Sequence, residues 1–218
     1  MFSRKIIKGL IPSTVLGQRI LRSSSNCILL TFDDGPHREL TPLVLERLKA
    51  NDARAVFFTV GRRIEGAPSL LRLIKDYGHL IGNHTYIHSN SNQPPFFEYR
   101  RDLIRCQMLI EKHAGVKPTL FRPPGGRISL ASIFVPKLLG LKTIMWSLEG
   151  RDWSCQTPGE AKKIAEYLIQ TIQPRDIVLL HDDNPNILII LDILLPFLKS
   201  CQFNLHSGIE FMKGDFVL

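Results

Sequence analysis

From residue 27 onward, short runs of β-branched and aromatic residues alternate with longer stretches of helical periodicity. This βα rhythm constrains the fold more than any other feature of the chain. It predicts strands over Cys27–Phe32, Ala53–Val60, His79–Asn83, Thr119–Arg122, Leu141–Ser147, Ile177–His181 and Gln202–Leu205. Helices are predicted over Pro42–Lys49, Pro68–Tyr77, Phe97–His113, Leu130–Leu139, Gly159–Ile172 and Ile187–Lys199. The punctuation agrees: Pro42, Pro68 and Pro158 stand near helix starts, and Gly78 and Gly140 just past helix ends. Seven strands in this alternation suit a (β/α) barrel or an open doubly wound sheet, and periodicity does not choose between them. No linker or internal repeat interrupts residues 26–218, which therefore read as one α/β domain, as the length of 218 residues also suggests.

The formal net charge of +8 is unevenly spread. Residues 1–25 carry Arg4, Lys5, Lys8, Arg19 and Arg22 and no acid, which leaves +3 for residues 26–218, with 23 basic against 20 acidic side chains. Most of the basic excess thus belongs to a leader, and a nucleic-acid surface on the folded body is not expected. The leader's apolar stretch is short, holds Pro12 and is followed by arginine rather than by a small-residue cleavage site, unlike an export signal. Two basic amphipathic turns suit packing on the body or peripheral contact with an anionic membrane surface, so a cytoplasmic or peripheral-membrane location is expected over secretion. Cys27, Cys106, Cys155 and Cys201 are far apart, with no C-x-x-C pair to suggest a zinc knuckle or redox site.

In either α/β architecture, functional groups gather at the carboxyl ends of the strands. The first strand runs into Asp33-Asp34-Gly35-Pro36, the third into Gly82-Asn83-His84-Thr85-Tyr86-Ile87-His88, and the fourth into Arg122-Pro123-Pro124-Gly125-Gly126. The fifth ends in Trp146-Ser147-Leu148-Glu149-Gly150-Arg151-Asp152-Trp153 and the sixth in His181-Asp182-Asp183. Singly, each has an ordinary reading: a turn, a chance histidine pair, a surface loop, a core tryptophan, a structural histidine. Their convergence after successive strands is harder to dismiss. His84 and His88 would face the same way if that segment turned helically. One Asp with two His is a three-ligand set that leaves a metal position open, as at catalytic zinc. A spare Asp could then act as base and His181 as acid.

The strings Thr31-Phe32-Asp33-Asp34-Gly35, His84-Thr85-Tyr86-Ile87-His88, Arg122-Pro123-Pro124-Gly125, Arg151-Asp152-Trp153 and Leu179-Leu180-His181 resemble, in order, the five motifs of the NodB-homology polysaccharide deacetylases, carbohydrate esterase family 4. The resemblance spans about residues 27–206. It implies a distorted (β/α) barrel of about seven strands and metal-dependent hydrolysis of an acetyl group, usually N-acetyl on a hexosamine glycan. By the same resemblance Asp33 would be the general base, while Asp34, His84 and His88 would hold a divalent metal, Zn2+ first, with Co2+ or Ni2+ as alternatives. Arg122 would orient Asp33, Asp152 would tune His181 as the general acid, and Trp153 would help wall the site. Pro124 and Gly125 would lie on the substrate side, with a backbone N–H of that loop facing the tetrahedral oxyanion.

The chain departs from the family pattern twice, with Gly125 where a tyrosine is usual and Glu149 where an aspartate is usual. Glycine keeps the backbone N–H and loses the ring. Within the same fold, an O-acetyl esterase or an amidase on a non-glycan substrate are the alternatives. A non-catalytic glycan-binding domain would be expected to have lost a ligand or His181, which this chain retains. No G-x-S-x-G supports a serine hydrolase, and no P-loop a nucleotide enzyme.

Overall fold

The computed structural model describes residues 26–89 and 95–213, so the expected leader at 1–25 lies outside the described residues. In chain order the elements are β1 (Leu29–Asp33), α1 (Leu40–Ala50), β2 (Ala55–Thr59), α2 (Gly61–Gly66), α3 (Ser69–Asp76), β3 (Leu80–Asn83), α4 (Phe96–Ala114) and β4 (Leu120–Phe121). They continue with α5 (Leu130–Leu138), β5 (Lys142–Thr143), β6 (Leu148–Glu149), α6 (Pro158–Thr171), β7 (Ile177–His181), α7 (Ile187–Ser200) and α8 (Ser207–Lys213). Among the described residues, no helix is long and apolar enough to cross a membrane.

All strand pairs are parallel, in one seven-stranded sheet of order β5-β4-β3-β2-β1-β7-β6. Its edges, β5 and β6, are joined only by residues 144–147. Six strand spacings of a flat sheet would separate the edges by about 29 Å. The link between them spans at most about 18 Å when fully extended. The sheet must therefore curl toward closure. Ile144 N–H donates to Phe121 O on one side of the gap, and Ser147 N–H donates to Ile177 O on the other. The result is the distorted (β/α) barrel of a single domain.

Burial on both faces explains why the strands read as continuous apolar runs rather than alternating ones. Leu30, Phe32, Ala55, Phe57, Val178 and Leu180 pack outward against the helices. Leu29, Val56, Phe58, Leu120, Ile144 and Ile177 pack inward, joined by Ile209 and Met212 of α8, which plugs the floor. Asp33 shares the parity of Leu29, so its side chain leaves the sheet toward the barrel axis.

Two strand expectations need correction. The run Leu141–Ser147 is not one strand: β5 and β6 flank its crossing from one sheet edge to the other. Gln202–Leu205 contributes only a bridge between Asn204 and Cys27. The strand count of seven survives because β6, just past the end of that run, replaces the strand expected at Gln202–Leu205. Helices α2 and α8 carry too few residues for periodicity to disclose them.

Candidate active site

In the register of β1 and β7, Asp33 lies directly opposite His181. Neighbours across parallel strands share a face and sit about 4.8 Å apart. Both residues are buried at the upper rim of the barrel. Beneath them lies Arg122, with no exposed surface. Its Nη1 donates to Asp33 Oδ1 at 2.8 Å and to Thr31 Oγ1 at 2.8 Å. Its Nε donates to Ile144 O at 3.0 Å and its Nη2 to Met145 O at 3.1 Å. The guanidinium also stacks on Phe58, 4.2 Å from the ring centre. A buried charge tolerates desolvation only when its donors are matched in this way.

Asp34 follows with φ of 70°, in the left-handed region that few non-glycine residues enter. Adjacent residues of a strand would point to opposite faces, and this turn brings the two carboxylates back together. His84 Nε2 lies 3.6 Å from Asp33 Oδ2 and 3.4 Å from Asp34 Oδ1, and His88 Nε2 lies 3.0 Å from that same Asp34 oxygen. The two histidines do not meet through a helical turn, as their spacing suggested. Residues 84–89 form a loop with Thr85 at φ 65° and His88 at φ 53°.

That loop is held by groups that nothing in the motif pattern singles out. Asp102 of α4 accepts from Tyr86 N at 3.0 Å and Ile87 N at 3.2 Å. Asn83 Oδ1 accepts from Thr85 N at 2.8 Å, and Asn83 Nδ2 donates to Leu103 O. Asp102 sits mid-helix, 14 residues beyond His88, where an acid reads as a solvated face. Only the fold joins it to the site.

The donor set fits a divalent cation. His84 Nδ1 lies 2.7 Å from Arg122 O, and a carbonyl can only accept, so Nδ1 carries a proton and Nε2 is the nitrogen turned to Asp34. Asp34 Oδ1 is buried, and the two imidazole nitrogens are the polar atoms that face it. One ligand atom from each of Asp34, His84 and His88 lies within 4.8 Å of the others. Burial raises the Asp34 pKa, but the two histidines outweigh it and hold the carboxyl far below its usual range. The Asp34 hydrogen bond and charge in turn raise the His88 pKa against the effect of burial. An incoming zinc-like ion would take the place of the imidazole protons between the carboxylate and the ring nitrogens.

Across the rim, His181 Nδ1 lies 3.0 Å from Asp152 Oδ1, and Asp152 Oδ2 accepts the His181 backbone N–H at 2.7 Å. Asp152 is almost fully buried. Burial by itself would lower the His181 pKa. The Asp152 hydrogen bond and charge, with Asp33 and Asp34, outweigh it and push the imidazole up to about 9.

The remaining expected residues fall unevenly. Pro124 is buried and Gly125 adopts φ 58° in the loop after Arg122. The turn bonds of that loop come from Gly126 N and Arg127 N rather than from Gly125 N. Trp153 sits in the turn Asp152–Ser154 with 58% of its surface exposed, beside the site rather than among the converging groups. Trp146 lies closer in: its ring centre is 5.5 Å from the Arg122 guanidinium, and it fills the space where a side chain on Gly126 would go. Glu149, at one of the two departures, is the last residue of β6.

A family model described as polysaccharide deacetylase matches residues 21–144. A peptidoglycan-N-acetylglucosamine deacetylase of Bacillus cereus is 36% identical over 196 residues, covering 88% of this chain and 90% of its own length. The crystal structure of a peptidoglycan N-acetylglucosamine deacetylase in complex with an N-hydroxybenzamide superposes with a TM-score of 0.77 at 30% identity, covering 84% of this chain and 86% of that one. A carbohydrate esterase family 4 pseudoenzyme from Bacillus anthracis superposes with a TM-score of 0.76 at 27% identity, covering 84% of this chain and 64% of that one.

Proposed function

The chain belongs to the polysaccharide deacetylase family, and from that premise we propose that it is a metal-dependent N-deacetylase of hexosamine units in a glycan, peptidoglycan first. A pseudoenzyme shares the fold, so fold alone does not carry this reading. The observation that carries it is the in-register pair of Asp33 and His181, each gripped by its own charged partner, beside the cluster of Asp34, His84 and His88.

Asp34, His84 and His88 would hold the metal, Zn2+ by the nature of the donors. A bound divalent ion supplies Lewis acidity toward a carbonyl and toward water. Asp33, fixed by Arg122 and facing the cluster, accepts the proton of the attacking water. Arg122 limits the carboxylate to one orientation and leaves Oδ2 free to take that proton. His181 is protonated at neutral pH and donates to the departing nitrogen, while Asp152 fixes which ring nitrogen faces the substrate. In the loop at Pro124–Gly126 the Gly125 N–H is the one not used in a turn bond, and it would serve the developing oxyanion. A tyrosine at position 125 would have to adopt the left-handed φ of 58° that Gly125 takes, so glycine relieves strain there and opens the acetyl side.

The test is acetate release from a panel of peptidoglycan fragments, chitin oligomers and O-acetylated xylan. Release from an N-acetylated hexosamine glycan is expected. Release from xylan alone would replace this reading with an O-acetyl esterase, and release from none would place the chain with the pseudoenzymes.

A further inference from the structure

Asp182 follows His181 at the carboxyl end of β7 and is completely buried, with Oδ1 making no hydrogen bond. A carboxyl in that position is costly, so its neighbours matter. Its Oδ2 accepts the Thr41 hydroxyl, and Thr41 Oγ1 in turn accepts the His37 backbone N–H at 2.7 Å. On its other side stands Gly35. A Cβ on Gly35 would fall 2.4 Å from Asp182 Oδ1 and 2.5 Å from Oδ2, so the carboxyl fills the volume that a side chain at position 35 would need.

These contacts bear on the turn that carries Asp34. A non-glycine residue at φ 70° is strained and persists only where the surroundings over-determine it. One support is the Val60 N–H, which donates to Gly35 O at 2.8 Å. The other is the carboxyl of Asp182 behind Gly35, tied through Thr41 to the chain at His37. We infer that Asp182 is a positioning residue for the metal site: it braces the Asp34–Gly35 turn and so keeps the Asp34 carboxylate in line with His84 and His88. The inference rests on the reading of those three residues as metal ligands. Asp182 makes no hydrogen bond to Asp34, His84 or His88. It acts through Gly35 and Thr41, and it places the brace of Asp34 next in sequence to His181.

The test is Zn2+ affinity of the full chain by competition with a chromophoric chelator, together with the visible spectrum of the Co2+-loaded protein. Asp182→Ala should weaken zinc binding by about 10–100-fold, the range typical of lost outer partners of ligands, and should alter the cobalt bands. Asp182→Asn keeps the shape and an acceptor for Thr41, and should recover most of both. Thr41→Val keeps its volume and loses the hydroxyl, which tests the brace should Asp182→Ala fail to fold. Gly35→Ala should also weaken zinc binding, and adding Asp182→Ala should restore part of it by freeing the space. A wild type that binds zinc, with variants of unchanged affinity and spectrum, would overturn the inference alone. A wild type that binds no zinc would overturn the metal-site reading and the inference with it.

Discussion

Asp152 acts on His181 twice, through the ring and through the backbone N–H, so one buried carboxylate sets both charge and orientation. In the metal-free chain, His181 should be protonated at pH 7 and titrate near 9 in an NMR titration. Asp152→Asn should bring it back toward or below about 6.5. Because the folded pKa is raised, the stability gained from the charged pair is complete below about pH 6.5 and fades as pH rises through about 9. The stability gap between wild type and Asp152→Asn should shrink over that window, and a gap that widened would contradict the pairing. His181→Ala should lower kcat by about 10²–10⁴ with zinc content unchanged, and loss of the metal would contradict its role as acid. At this scale the sequence showed which side chains matter, because acids and histidines at strand ends are conspicuous. It did not show the left-handed backbone at Asp34 and His88, nor that Asp102 holds the histidine loop. Those depend on packing between segments.

Among the elements, the decisive one is the crossing between β5 and β6. Its carbonyls at Ile144 and Met145 accept from the guanidinium that also holds Asp33, so Arg122 fastens the barrel seam and the proposed base together. Removing one partner of such a buried pair costs about 3–5 kcal/mol. Arg122→Ala should therefore lose stability of that order in urea denaturation as well as turnover. A variant of wild-type stability would show that the seam closes without it. The strands β1, β2, β3 and β7 were readable because their runs are long and flanked by turn residues. The split of Leu141–Ser147 was not, because an edge-to-edge crossing and a single strand share the same apolar composition.

For the whole molecule, the family and the barrel were legible in the order of the motifs, while the floor was not: α8 is short, and Ile209 and Met212 acquire meaning only inside the closed sheet. The five unopposed cations of residues 1–25 lead us to propose peripheral contact with an anionic membrane surface. Deleting those residues should leave acetate release from a soluble substrate intact and weaken binding to anionic vesicles. A folded truncation without turnover would show instead that the leader completes the site. In the proposed mechanism the neighbouring aspartates divide the chemistry, Asp34 to the metal and Asp33 to the water. Zinc per chain measured together with acetate release in Asp33→Asn tests this division. Near-stoichiometric zinc with most turnover lost is expected. An emptied site, or turnover equal to wild type, would contradict it.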